Sequence, residues 1–150
     1  MDTLLRLGGL VLLALGVVGC WPGERPEVSY ANMPEAVSHG VVDRGWIPEW
    51  IPASATNIHE IHDLDTNESM LAFQLPATAS WSLPPHCQPV SYSNIGPPRF
   101  SRSWWPTPEE QESSYNFHRC AGDDPSTPKL QWVARHKSGN QGLYWRAYAR

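Results

Sequence analysis

Alternation of apolar and polar residues is clearest near the C-terminal end of the chain. Residues 130–135 and 143–148 carry aromatic or β-branched side chains between polar ones, and a glycine-rich segment, residues 138–142, connects them. Period-two alternation puts successive side chains on opposite faces of a strand, and a short Gly/Asn connection favours a hairpin. We therefore predict a C-terminal hairpin in which Trp132 and Trp145 are core residues or cross-strand partners.

A second hairpin is predicted in the middle of the chain. Residues 57–64 and 69–75 flank the turn-forming sequence Asp65-Thr66-Asn67-Glu68. From Leu71 onward every second residue of the later segment is large and apolar, so one face of that strand is suited to a core. The earlier segment alternates poorly, which leaves its register open.

Short helices are predicted from capping residues rather than from long amphipathic patterns. Asn32 precedes a helix over residues 33–39, and Thr107 precedes one that runs to about His118. In each case a glutamate three residues later completes a capping box, and a proline occupies the first turn. Fifteen prolines exclude long helices. Two hairpins with short helices predict an α+β fold built on a small antiparallel sheet.

The N-terminal pattern is different, because apolar residues run without interruption from Leu7 to Val18 after a single Arg6. About twelve apolar residues are too few to cross a bilayer and are typical of a secretory signal peptide. The ending Val17-Val18-Gly19-Cys20 resembles the lipobox of bacterial lipoproteins, which implies cleavage before Cys20 and its lipidation. We therefore expect a lipoprotein signal peptide over residues 1–19, a tether over 20–27 and a single α+β domain over 28–150.

Cysteine usage agrees with export. The chain has three cysteines, and a lipidated Cys20 leaves only Cys87 and Cys120. In an oxidising compartment this remaining pair favours a disulfide. A catalytic thiol is the alternative.

Composition narrows the choice of partner. The net charge of −4 argues against nucleic acid. Residues 125–150 nevertheless contain five basic residues and no acid. They either pack beside an acidic part of the fold or form a patch for anions or lipid headgroups.

Three sequence blocks carry a family resemblance. They are Gly45-Trp46-Ile47-Pro48, Pro52-Ala53-Ser54-Ala55-Thr56-Asn57-Ile58 and His62-Asp63-Leu64-Asp65-Thr66-Asn67-Glu68. Together they resemble an uncharacterised family of small bacterial exported proteins and lipoproteins, and the likeness continues loosely through Trp104-Trp105-Pro106 and the C-terminal hairpin. The resemblance implies a shared compact domain and supplies no catalytic residues.

The segment from His59 to Glu68 holds the densest set of metal-ligand side chains, yet its spacing fits neither the zinc-protease helix motif nor a calcium loop. His59 and His62 are three residues apart, one short of the zinc-protease helix motif, and on a strand they face opposite sides. A calcium loop beginning at Asp63 lacks its glycine, since Glu68 stands there. We therefore expect Asp65-Thr66-Asn67 to supply side-chain to backbone hydrogen bonds in the hairpin turn, with the acids facing water, and no metal or cofactor. A metal site formed with a distant histidine is the alternative.

A candidate binding surface lies around Trp104 and Trp105, which follow Arg99 and Arg102 in a loop region. Exposed tryptophan beside arginine can stack on sugars or anchor a protein partner. The alternative is that the two tryptophans only close the loop onto the core.

The function expected from these patterns is that of a lipid-anchored lipoprotein of the bacterial envelope, facing the periplasm or the exterior. Cys20 would hold it to the membrane, and Trp21 in place of an aspartate favours the outer membrane. No catalytic set satisfies the spacing tests, so a non-enzymatic binding module for a protein or a cell-wall glycan is expected. The alternative is a small hydrolase or metal-dependent enzyme using the His59–Glu68 segment.

Overall fold

The computed structural model of the chain describes residues 26–121 and 129–148. The predicted signal peptide and Cys20 lie outside these residues, as does most of the predicted tether. The strands are β1 (Glu27–Asn32), β2 (Thr56–His62), β3 (Ser69–Gln74), β4 (Cys87–Val90), β5 (Tyr115–Cys120), β6 (Lys129–His136) and β7 (Gln141–Tyr148). The helices are α1 (Met33–Ser38) and α2 (Pro108–Ser114), with a 3₁₀ turn at Tyr92–Asn94.

All seven strands belong to one antiparallel sheet with the order β1-β2-β3-β7-β6-β5-β4. The predicted α+β class is therefore wrong, because the described residues form a predominantly β structure. Both predicted hairpins are present as β2–β3 and β6–β7, and the pairing of β3 with β7 joins them side by side. This pairing connects distant parts of the chain, so local sequence patterns did not indicate it.

The helix predicted after Thr107 is shorter than expected. Thr107 does cap α2 by accepting a hydrogen bond from the Glu110 N–H, but the helix ends at Ser114 and β5 begins at Tyr115. At the start of β5 burial alternates, with Tyr115 and Phe117 buried and Asn116 between them exposed. Period-two burial against β6 overrides the helical start signal. The predicted helix over residues 33–39 is present as α1, capped by the Asn32 side chain.

No helix in the described part of the chain is long and apolar enough to span a bilayer.

Strand β4 was not predicted, because it lies in a proline-containing stretch that has no alternation. It is a four-residue edge strand, where Pro89 costs no hydrogen bond to a further strand. Cys87 is paired in register with Cys120 of β5, and the two form a disulfide with an S–S distance of 2.05 Å. The disulfide therefore attaches the edge strand β4 covalently to the rest of the sheet.

Each face of the sheet is covered by irregular chain. On one side, here called the Tyr144 face, buried side chains of residues 41–55 and Trp81 pack against Leu71 and Tyr144. The other side, here called the Trp145 face, is covered by residues 92–107. Trp132 and Trp145 are cross-strand neighbours on that face, with ring centroids 6.3 Å apart. The sheet is thus the middle of a three-layer arrangement whose outer layers are loops and short helices.

Candidate functional site

A cavity with a volume of about 720 Å³ lies in the loop layer over the Trp145 face. This size is within the range of small-ligand sites. Its lining is mainly aromatic and proline side chains with a few hydroxyls and one arginine. Representative members are Tyr92, Pro97, Pro98, Phe100, Arg102 and Trp105. We call it the Tyr92 cleft.

Two of the four predicted binding residues line this cleft. Arg102 and Trp105 are both partly buried there. The Trp105 ring meets the Trp145 ring edge-on at a centroid distance of 5.7 Å. Its Nε1 is buried and has no hydrogen-bond partner among the described residues. Trp105 is therefore the floor of the cleft and at the same time part of the core.

The other two predicted residues hold the loop layer to the sheet. Trp104 Nε1 donates a hydrogen bond of 2.8 Å to the Glu27 carboxylate, to which Arg102 Nε donates one of 2.6 Å. Both hydrogen bonds lower the pKa of Glu27, and the bond from Trp104 has the larger effect. Trp104 also stacks on His59 of β2. Trp104 thus fastens the loop to the edge of the sheet instead of facing solvent freely.

Arg99 takes part in a similar attachment at the turn between β2 and β3. Its Nη1 lies 2.5 Å from Oε2 of Glu68, a carboxylate that is only 2% exposed. Asp63 is also buried, and its Oδ1 accepts the N–H groups of Asp65 and Thr66. Asp63, instead of the expected residues 65–67, therefore accepts these turn bonds, and of those residues Thr66 accepts the Glu68 N–H through its Oγ1. The expectation that the acids face water is wrong for Asp63 and Glu68. Asp63 accepts hydrogen bonds within the turn, and Glu68 pairs with Arg99.

A second polar group is buried on the Tyr144 face. His62 of β2 is 2% exposed, and its Nδ1 lies 3.0 Å and 3.1 Å from the two carboxylate oxygens of Glu60, which is fully buried. The Trp46 ring stacks on the imidazole at a centroid distance of 3.7 Å. His59 lies on the opposite face of β2, where it hydrogen-bonds Ser29. The two histidines of the segment are therefore not brought together.

Burial controls the protonation of this pair. Desolvation raises the pKa of Glu60 to about 8, although the positive charges of Arg146 and Arg44 oppose the shift. Desolvation likewise lowers the pKa of His62, and both arginines add to that effect. Both groups therefore favour their neutral forms at neutral pH.

Next to this pair is a second cavity of about 440 Å³, between residues 42–50 and the sheet. It is lined by charged and polar side chains that include Arg44, Asp43, Glu49, His86, Gln131 and Arg146. We call it the Arg146 pocket. No group of three or more metal-ligand side chains in residues 26–121 and 129–148 is arranged to hold a metal ion.

Sequence reasoning did not identify Arg44 or Arg146 as site residues, and it named Trp46 only as part of the family resemblance. One usable signal was the position of Arg146, two residues after Tyr144 on the same face of a strand whose inward positions are otherwise apolar. A charged residue at a core-facing position needs a polar surrounding. The loop that provides it, residues 42–50, is distant in sequence.

The comparisons with known proteins give one finding. Residues 24–74 match the family model of the YbbD head domain. The YbbD head match covers β1, α1, the hairpin β2–β3 and the loop that carries Arg44 and Trp46. Comparison with curated proteins and with solved structures gives no match.

Proposed function

We propose that this chain is a lipid-anchored binding module of the bacterial envelope, with no enzymatic activity of its own. The lipobox-like end of the apolar N-terminal run supports an anchor at Cys20. The disulfide Cys87–Cys120 supports an oxidising compartment outside the cytoplasm. Trp21 after the lipidated residue supports the outer membrane.

The observation that carries the binding role is the Tyr92 cleft. It is concave, mainly apolar, and bordered by Arg102, which is partly exposed and already oriented by Glu27. Pre-oriented side chains lower the entropic cost of binding a partner. A cleft with these properties is typical of sites that receive a ligand rather than of a closed core.

The lining of the cleft favours an apolar peptide segment of a protein partner over a cell-wall glycan. A glycan presents many hydroxyl groups and needs a comparable number of donors and acceptors. Four prolines of the lining offer no backbone N–H: Pro97, Pro98, Pro106 and Pro108. Tyr92, Phe100 and Trp105 instead supply aromatic surface, which is typical of protein interfaces.

The hydrolase alternative is favoured by one observation only. Glu60 contacts His62 Nδ1 in the way that an acid orients a catalytic histidine. Ser69 is the register partner of His62 on β3. The imidazole is nevertheless covered by Trp46 and lines neither cavity described above, so a substrate would not reach it. For that reason we place binding first.

The test is crosslinking and capture from bacterial envelopes with the full lipidated chain. Tyr92→Ala and Arg102→Ala change the cleft, and Val37→Ala, at an exposed apolar position on α1, is the control. We expect a protein partner that is lost with both cleft variants and retained with the control. A synthetic peptide from that partner should then bind the purified chain and not the two cleft variants.

Two results would contradict this proposal. If both cleft variants capture the partner as well as the wild type does, the Tyr92 cleft is not the binding site. If the chain captures no protein and cosediments with purified cell-wall glycan, the ligand is not a peptide. In the same strains, Cys20→Ser should move the chain from the membrane fraction to the soluble fraction. If that variant still sediments with membranes, the lipid anchor is wrong.

A further inference from the structure

The Arg146 pocket contains two guanidinium groups that form no ion pair with a carboxylate of the described residues. Within residues 26–121 and 129–148, ion pairs join Glu68 to Arg99 and Glu27 to Arg102, and Glu60 contacts His62. Neither Arg44 nor Arg146 takes part in them. Both nevertheless line the same 440 Å³ cavity.

Each guanidinium is held in place by contacts that leave donors free. Arg146 donates from one terminal nitrogen to the Gly45 carbonyl at 2.8 Å, and its Nε is buried without a partner among the described residues. Arg44 donates to the His39 carbonyl at 2.7 Å and lies over the Trp46 ring, 4.3 Å from its centroid. Because a guanidinium has five N–H donors, each of these arginines can still receive an anion.

The buried carboxyl nearest to the pocket does not compensate the two charges. Glu60 is fully buried, and burial raises its pKa to about 8, so it is mainly protonated at neutral pH. Its carboxyl oxygens are also occupied by His62. The pocket therefore holds two guanidinium charges, that of the exposed Arg44 and that of the partly buried Arg146.

The remaining charges of the pocket decide the kind of anion. Asp43 and Glu49 also line it, and both are exposed. These carboxylates would repel a multiply charged anion such as phosphate and would attract an ammonium group. A guanidinium fork is matched in shape to a carboxylate. The charge pattern is thus complementary to a small zwitterion.

We infer that the Arg146 pocket binds a free amino acid or a dipeptide, with the ligand carboxylate on Arg44 and Arg146. The ligand ammonium lies toward Asp43 and Glu49. Gln131, the register partner of Arg146 on β6, lines the pocket and supplies a neutral donor and acceptor. This site is on the Tyr144 face, opposite the Tyr92 cleft, and does not depend on the function proposed for that cleft.

The experiment is calorimetric titration of the full chain with Ala-Ala, with its C-terminal amide, with its N-acetyl derivative and with inorganic phosphate. We expect binding of Ala-Ala, loss of binding when the carboxylate is amidated, and weaker binding after N-acetylation. Arg44→Gln should weaken binding about tenfold or more, since a hydrogen bond to a charged group is lost. Arg44 is exposed, so this variant should fold.

Two further variants complete the design. Arg146→Lys keeps the charge but not the fork, and should also weaken binding while retaining the melting temperature. Arg119→Gln makes the same change of charge as Arg44→Gln at an exposed position outside the pocket, and should bind Ala-Ala like the wild type. Any of four results would overturn the inference. The amide could bind as tightly as Ala-Ala, phosphate could be the one probe that binds, no probe could bind, or Arg44→Gln could bind Ala-Ala as tightly as the wild type.

Discussion

At the scale of single residues, Glu60 is the side chain whose chemistry is most altered by the fold. Its carboxyl is fully buried and lies against the His62 imidazole, and desolvation raises its pKa from 4.5 to about 8. An unfolded chain would release this proton at a much lower pH than the folded protein. Glu60 therefore makes the stability of the protein depend on pH.

The direction of that dependence can be predicted. As pH rises from about 4.5 to about 8, the unfolded chain loses a proton that the folded protein keeps, so Glu60 lowers the free energy of unfolding. The depressed pKa of His62 acts in the opposite direction, removing stability as pH falls below about 6.5. Glu60→Gln abolishes the first effect only. Relative to the wild type, this variant should gain stability steadily between pH 5.5 and pH 8 in urea unfolding.

A control separates burial from the loss of a charge. Glu112→Gln makes the same substitution at an exposed position on α2, and its difference from the wild type should not change with pH in this way. If the difference between Glu60→Gln and the wild type is also constant across that range, the carboxyl does not titrate as its burial requires.

At the scale of elements, the contact between β3 and β7 depends on a glycine. Gly142 is the register partner of Phe73, and a Cβ built on it would overlap the Phe73 ring and lie 2.8 Å from the Trp81 ring. Phe73 and Trp81 themselves pack edge-to-face at 5.2 Å. The missing side chain therefore makes room for an aromatic pair that covers this part of the Tyr144 face.

Gly142→Ala is expected to overpack this contact and to lower the free energy of unfolding by about 1 to 3 kcal/mol. Chemical denaturation of the single variant measures the loss. In the double variant Gly142→Ala with Phe73→Leu, the smaller side chain should relieve the overlap, so that the two effects do not add. Strict additivity of the two changes would show that the Phe73 ring is not what excludes a side chain at residue 142.

At the scale of the whole molecule, the sheet is held together by pairings between distant segments. Strand β7 pairs with β3 and β6, whereas β4 pairs only with β5 at the outer edge. The disulfide closes a loop with a sequence separation of 33 residues and ties that edge strand to the sheet. Strand β4 has only four residues, one of which is proline, so few backbone hydrogen bonds hold it to β5. The disulfide therefore reinforces a weakly hydrogen-bonded edge.

Replacing both cysteines, as Cys87→Ala with Cys120→Ala, should lower the free energy of unfolding by about 3 to 4 kcal/mol in the chain-entropy model. Backbone amides of β4 should exchange with solvent faster, while those of β3 and β7 should keep their relative protection. Thermal melting and hydrogen exchange measure the two effects. A native chain with two free thiols, or a variant as stable as the wild type, would show that the disulfide does not stabilise the sheet.

Local chemistry accounts for the part of the fold that the sequence predicted. The two hairpins and the caps at Asn32 and Thr107 depend on neighbouring residues, so their patterns were readable. The weak alternation of β2 has a physical cause that local reasoning missed. Asn57 has a positive φ of 47° where the register shifts, and both sides of the strand are buried by loops.

The sequence by itself determined the hairpins, the helix starts, the pairing of Cys87 with Cys120 and the candidate residues beside Trp105. Only the tertiary structure decided that seven strands form one sheet, that Trp104 and Arg99 bind the carboxylates of Glu27 and Glu68, and that Arg44 and Arg146 line one pocket. The first set depends on contacts within a few residues or on simple counting. The second depends on strand pairings and loop positions between distant segments, and no local pattern encodes these.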